Sequence, residues 1–206
     1  VYFIVIYVCG DSFCVSDPEY GPMWVDILSQ RFEVTNLAQV AASNILIAQQ
    51  VQNAVNNRAK FVIMHGTAVT RGHKRWGNGY QPFSYHTASS KTTPFSAYQL
   101  DILKKYYTEF FDLDMAVFEN SIVIEHSIRS LIDAGIAFRF DQGGFEHPNF
   151  GNVKHNWFTA YNQYRSDINL WSLARSRDYR PYYHITDPQQ HQRIADYYTK
   201  IIKEHQ

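Results

Sequence analysis

This chain has no excess of charge: 19 Lys and Arg residues balance 19 Asp and Glu. With no global field, nothing draws it to nucleic acid or to an anionic membrane surface. Cysteine is almost missing as well. The two that occur, Cys9 and Cys14, flank a Gly-Asp-Ser turn. A strand end and its outgoing loop point to free thiols rather than a framework disulfide, and so to a reducing, cytoplasmic compartment. The chain also lacks an apolar run long enough to span a bilayer. The opening run from Val1 has no basic start and leads straight into the turn, so it is expected to be neither signal peptide nor anchor. Internal repeats and low-complexity linkers are absent too, and 206 residues with 45% apolar content suit one domain with a sizeable core. Aromatics are plentiful. Fifteen Tyr and 14 Phe residues can serve core packing or a flat polar-aromatic ligand surface such as one for a sugar.

The segment Val1 to Ser16, VYFIVIYVCGDSFCVS, carries the most chemistry. An unbroken apolar run that stops at Gly10-Asp11-Ser12 reads as a buried strand delivering Ser12 to a turn at a sheet edge. A serine hydroxyl is a weak nucleophile and attacks a carbonyl only where a base, an orienting acid and oxyanion donors converge on it. Gly-Asp-Ser is also a good turn tripeptide, so the rest of the chain has to decide.

Farther along, Pro18 to Gln30 has the spacing of a short helix and Phe32 to Leu37 that of a second strand. Ser43 caps a helix through Ile47, Val51 and Val55 to about Asn57, and Lys60 to His65 is a third strand followed by Gly66. Thr67 to Pro94 shows no apolar periodicity and reads as a long loop over the site. Helices are predicted over Phe95 to Phe111 and Met115 to Ala134, the latter closed by Gly135. Ile136 to Phe140 gives a fourth strand, Gln142 to Asn152 a second loop, and His155 to Ala174 a Trp- and Tyr-rich helical stretch. Thr186 then caps a last helix through Ile194, Ala195 and Tyr198 to Lys203. Strands alternating with helices imply an α/β protein, a parallel sheet with helices on both faces.

Four segments recur in a telling order: Gly10-Asp11-Ser12-Phe13; Asn36-Leu37-Ala38 with Ala41-Ala42-Ser43-Asn44 after strand two; Gly66-Thr67 after strand three; and Asp178, five residues, then His184-Ile185-Thr186 before the last helix. This order resembles the SGNH (GDSL) hydrolase superfamily over almost the whole chain. Asn36-Leu37-Ala38 and Ser43-Asn44 with Ile47 look closest to its phage-encoded branch, which would place the protein in the cytoplasm of a phage-infected bacterial cell. The resemblance implies a flavodoxin-like three-layer α/β/α sandwich with a central parallel sheet of four to five strands. It also implies that Ser12 attacks an ester carbonyl, that a histidine takes its proton, and that an aspartate orients the ring. Two histidines compete for that role. His184 lies on the loop rim where the family's histidine sits and is preferred; His191 falls one to two turns inside the helix. The family's aspartate position, three residues before the histidine, holds Pro181. Asp178 is the nearest acid upstream and Asp187 the nearest downstream; the helix dipole accounts for Asp187, which leaves Asp178.

The family's oxyanion-hole glycine aligns with Ala41 and its asparagine with Ala68. Losing the glycine is tolerable because the backbone N–H is the donor, whereas losing a side-chain donor costs on the order of 3 kcal/mol in activation energy. The expected donors are the N–H groups of Ser12 and Ala41, helped by Asn44 in preference to Thr67 or Arg71. Arg71, His73, Lys74, Arg75, Trp76 and Tyr80 make the long loop basic and aromatic. Such interleaving can bind single-stranded nucleic acid, but in a neutral chain it reads better either as a platform for a sugar ring or acyl chain or as aromatics that pin the long loop to the body. Thr67, Arg71, Trp76 and Tyr80 are the expected substrate-binding residues. His65, His73 and His86 lack metal-ligand spacing, so neither metal nor cofactor is expected.

The resulting expectation is a serine esterase acting on acyl or acetyl esters, carbohydrate esters among them, with no nucleic-acid or membrane partner and an open oligomeric state. The alternative, motivated by Ala68, is a weakly active or inactive module that keeps the fold and binds a glycan as a phage virion component. A thiol enzyme using Cys9 or Cys14 is the least favoured, because neither occupies the apex of the turn.

Overall fold

A strand that is apolar on both faces must be covered on both sides, and the central strands here are. The computed structural model describes residues 5–16, 21–76, 79–84, 95–143, 159–164, 166, 168, 170, 173, 185 and 187–205, with backbone alone at 74–76, 79–82 and 162. In chain order these form β1 (Val5–Cys9), a 3-10 turn (Ser12–Cys14), α1 (Trp24–Ser29), β2 (Glu33–Asn36), α2 (Asn44–Asn56) and β3 (Phe61–Gly66). There follow β4 (Gly72–Trp76), β5 (Gly79–Phe83), α3 (Ala97–Lys105), a π turn (Tyr106–Phe110), α4 (Leu113–Asp133), β6 (Ala137–Gln142), α5 (Thr159–Tyr164) and α6 (Pro188–Glu204).

Four strands pair in the order β2-β1-β3-β6, all parallel. Successive side chains of a strand point to opposite faces, and the core divides accordingly. Ile6, Val8, Phe61 and Ile63 pack with Trp24, Val25 and Leu28 of α1 and with Ile194, Tyr198 and Ile202 of α6. Cys9, Val62, Met64 and Phe140 pack on the other face with Ile47, Val51 and Ala54 of α2 and Ile124, Ile128 and Leu131 of α4. The α/β/α layering implied by the sequence is therefore the layering observed. The chain leaves β1 for β2 on one side and returns to β3 on the other, so β1 and β3 flank a topological switch point, where open α/β sheets place their ligands.

The helix signals act as local chemistry predicts. The Ser43 hydroxyl accepts from Leu46 N–H at the head of α2, and Gly135 takes a positive φ of 65° just past α4. Three expectations change. Residues 72–83 form an antiparallel hairpin within the segment read as a loop, paired from Gly72↔Phe83 to Trp76↔Gly79. The intervening sequence is Gly77-Asn78, a two-residue hairpin signal hidden by the lack of apolar alternation. The last helix is capped by Asp187, not Thr186: its carboxylate accepts from Gln189 N–H at 2.8 Å and Pro188 opens the helix. Gln142 belongs to β6 rather than to the loop that follows. The helix from 97 also widens into a π turn, where the Tyr107 hydroxyl donates to the Thr70 carbonyl at 2.7 Å. Among the described residues, no helix is long and apolar enough to cross a membrane.

Ile63 is fully buried in a central strand while Ile122, on α4, is 46% exposed. Ile63→Ala should lower the unfolding free energy by about 2–5 kcal/mol and Ile122→Ala by less than about 0.5 kcal/mol, as read from urea denaturation midpoints.

Candidate active site

The turn after β1 is clamped residue by residue. Gln50 of α2 acts as a missing strand neighbour, with its Oε1 accepting from Gly10 N–H at 2.7 Å and its amide donating to the Gly10 carbonyl at 3.2 Å. Glycine is required at position 10, since a Cβ there would meet Cys14 Sγ at 2.7 Å. The Asp11 carboxylate is fully buried and accepts from Phe13 N–H at 3.0 Å, the Thr67 hydroxyl at 2.7 Å and Arg71 Nη1 at 3.0 Å. The Trp24 indole donates to the Phe13 carbonyl at 2.9 Å, and the Asn36 amide to the Cys14 carbonyl at 2.7 Å. Of residues 10–14, Ser12 alone is not buried. The turn thus presents one hydroxyl from a frame fixed on every side.

The segment after β3 completes the frame. Asn44 and Thr67 pair twice: Thr67 N–H donates to Asn44 Oδ1 at 2.9 Å, and Asn44 Nδ2 donates to the Thr67 carbonyl at 3.0 Å. The second amide hydrogen of Asn44 goes to Asn120 Oδ1 at 2.7 Å. Both Asn44 hydrogens are therefore committed, which corrects the expectation of a spare oxyanion donor. Thr67, expected to touch substrate, is 1% exposed with its hydroxyl on Asp11. Arg71 is drawn inward to Asp11 and also donates to the Ala42 carbonyl at 3.4 Å. These three residues build the site rather than line it. Beside them the Ser43 hydroxyl and His73 Nδ1 are 2.8 Å apart.

Ala41, the residue expected to stand in for a glycine, takes a positive φ of 59°. A left-handed backbone costs an alanine about 1 kcal/mol, so the turn keeps this conformation against a local penalty. Ala41 N–H takes no acceptor among the described residues. Ala68 is buried at 6% exposure and offers no side-chain donor.

The candidate bases separate. His191 is buried, with both ring nitrogens on backbone groups: Nε2–H donates to the Ile185 carbonyl at 2.9 Å and Nδ1 accepts from Trp24 N–H at 3.3 Å. Burial also lowers its pKa. His184 and Asp178 lie outside the described residues. Trp76 closes β4, and Tyr80 lies opposite Arg75 in β5.

Beneath the turn runs a buried polar chain that sequence reasoning left unassigned. Cys14 Sγ is 3.1 Å from His65 Nδ1, His65 Nε2 is 2.7 Å from the Tyr198 hydroxyl, and that hydroxyl donates to Asp141 Oδ2 at 3.0 Å. Arg139 closes it at Asp141 Oδ1, 2.8 Å away. Because the tyrosine proton points to Asp141, its oxygen accepts from His65 Nε2–H, and His65 Nδ1 is left to accept the thiol proton. The Trp24 ring stacks on His65 with centroids 5.4 Å apart. Burial pushes the Cys9 thiol up to about 12 and the Cys14 thiol well above its ordinary value, so neither is poised as a nucleophile. Both are free and buried.

No family model and no curated protein matches the chain. Solved structures share its fold. The psychrotrophic esterase EstA from Pseudoalteromonas sp., in a form inhibited by monoethylphosphonate, is 12% identical over 97% of this chain and 99% of its own, with a TM-score of 0.54. TesA is 11% identical over 98% and 99%, with a TM-score of 0.53. A GDSL-like lipase from Bacteroides thetaiotaomicron is 7% identical over 98% and 89%, with a TM-score of 0.53. At such identities the likeness is one of fold: the chain shares the α/β architecture of these solved structures.

Two outcomes test the frame. Removing the fully buried Asp11 carboxylate takes the acceptor from Phe13 N–H and the Thr67 hydroxyl and breaks the ion pair with Arg71, so Asp11→Ala should cost about 3 kcal/mol of unfolding free energy by urea titration. Burial also holds the His65 pKa down at about 4, against 6.5 when unfolded. Below pH 6.5 the unfolded chain takes up a proton that the native ring refuses, so this contribution to stability is full above pH 6.5 and lost as pH falls toward 4. Melts between pH 7 and 4 should show a loss of roughly 3 kcal/mol from this residue. His65→Phe should remove this part of the slope, leaving among the described histidines a smaller one from His73 and His191, since burial lowers both of their pKa values too.

Proposed function

We propose that this protein is a serine ester hydrolase with Ser12 as nucleophile, His184 as general base and then acid, and Asp178 as the carboxylate that orients the imidazole. The observation that carries the reading is Ser12 itself, the sole part-exposed residue of a clamped turn at the carboxyl end of β1, beside the switch point with β3. Neighbours in the fold, an esterase and a GDSL-like lipase, support the same class. His191 is bound on both sides to backbone, which favours His184 as the base.

In the proposed reaction His184 removes the hydroxyl proton as Ser12 Oγ bonds to the ester carbonyl carbon. The tetrahedral oxyanion is held by the N–H groups of Ser12 and Ala41. When it collapses, the bond to the alcohol oxygen breaks and His184 returns the proton to that oxygen. Water then attacks the acyl-enzyme by the same route, releasing the acid and restoring Ser12. No cofactor enters. Acyl and acetyl esters, including those on carbohydrate, are the proposed substrates, with Trp76 and Tyr80 on the adjacent hairpin as a sugar or acyl platform. Two free buried thiols suit the cytoplasm, here that of a phage-infected bacterium.

A second reading, a glycan-binding virion module that retains the fold, is favoured by one feature. Ala68 supplies no amide and the amide of Asn44 is committed, so the oxyanion hole rests on backbone donors. Intact-mass detection of a fluorophosphonate adduct separates the two, run with hydrolysis of short p-nitrophenyl esters. The esterase reading expects a single adduct on wild type, none on Ser12→Ala or His184→Ala, and turnover reduced by at least about 10³-fold in both variants. A folded wild type with neither adduct nor turnover, alongside glycan binding that survives Ser12→Ala, would establish the module instead.

A further inference from the structure

Trp24 and His191 are both buried, and packing alone does not account for their polar atoms. The Trp24 indole N–H donates to the carbonyl of Phe13, one residue past Ser12, at 2.9 Å. The backbone N–H of Trp24 sits at the first position of α1, where the helix supplies no acceptor of its own. It donates to His191 Nδ1 at 3.3 Å, and across the ring His191 Nε2–H donates to the carbonyl of Ile185 at 2.9 Å. A continuous path thus runs from the residue after Ser12 to the residue after His184. Its two outer acceptors belong to buried residues, Phe13 and Ile185, that pack in one core cluster with Trp24. The path also fixes the imidazole chemically: one nitrogen must carry hydrogen and the other must be bare.

We propose that Trp24 and His191 are positioning residues, a bracket that sets the separation between the Ser12 turn and Ile185, the residue that follows His184 in the chain. The inference rests on the assignment of Ser12 and His184 made above. A nucleophile and its base must meet at about 2.6–3.2 Å, and a displacement of about 1 Å can cost about 100-fold in rate. Two elements far apart in sequence need a physical gauge to hold such a distance. The bracket spans the gap with three hydrogen bonds through one indole and one imidazole.

His191→Gln keeps one donor and one acceptor, His191→Leu keeps neither, and Trp24→Phe removes the indole donor while leaving a ring and the backbone N–H. All would be assayed with p-nitrophenyl acetate at a temperature where circular dichroism shows each as folded as wild type. His191→Leu should lower kcat by about 10- to 100-fold with KM within about twofold, and Trp24→Phe should lower kcat by about tenfold. His191→Gln should recover most of the loss. Wild-type kcat in folded His191→Leu, an equal loss in Leu and Gln variants, or a change confined to KM would overturn the bracket. If His191→Leu does not fold, wild-type kcat in Trp24→Phe overturns it equally. If wild type forms no fluorophosphonate adduct, the esterase reading fails separately, and hydrogen exchange decides the bracket. Peptides over 181–187 should then exchange faster in His191→Leu, or in Trp24→Phe where that variant alone folds, than in wild type and His191→Gln; unchanged exchange overturns the proposal.

Discussion

A fully buried carboxylate has to be neutralised and hydrogen-bonded, and Asp11 meets that demand by recruiting three separate parts of the chain. Its own turn supplies Phe13 N–H, the segment after β3 supplies the Thr67 hydroxyl, and the approach to β4 supplies the Arg71 guanidinium. The carboxyl ends of β1 and β3 are thereby tied at the point where the sheet changes winding direction. Asn44, at the head of α2, reinforces the tie through its pair of hydrogen bonds with Thr67. Asp11 thus sets the conformation in which its neighbour Ser12 is offered.

The last helix reaches the same turn by two other routes. Tyr198 communicates with Cys14 through His65, and His191 communicates with Phe13 through Trp24. Three histidines near the site accordingly have three kinds of work. His65 relays hydrogen bonds inside the core, His191 joins backbone groups of two segments, and His73 meets the hydroxyl that caps α2. The distinction comes from partners rather than from residue type, because imidazole can donate and accept at once.

The parallel strands were legible in the sequence because burial on both faces leaves near-continuous apolar runs such as Phe61 to Met64. Ser43 as a cap and Gly135 as a helix end were legible because their signals are local. The hairpin at 72–83 was not, since a small sheet outside the core need not alternate polar with apolar residues. Asn44 and Thr67 carried the right chemistry for donors, but what decides their role is each other, 23 residues apart, and Asp11, 56 residues from Thr67. The partner of His65 in the last helix lies 133 residues away, so nothing near His65 in sequence hinted at a relay. Local pattern identifies elements; long-range hydrogen bonds assign functions to side chains.

The dependence of the turn after β1 on side chains of α6 bears on how the molecule comes into being. Ser12 leaves the ribosome with β1, whereas His191 and Tyr198 follow all four strands of the parallel sheet. A nascent chain can pair β1 with β2 and then β3, yet the backbone N–H of Trp24 and Nε2 of His65 lack their partners until α6 is free to dock. The hydroxyl therefore acquires its final setting only after α6 has been made and has docked, later than every strand of the sheet that carries it.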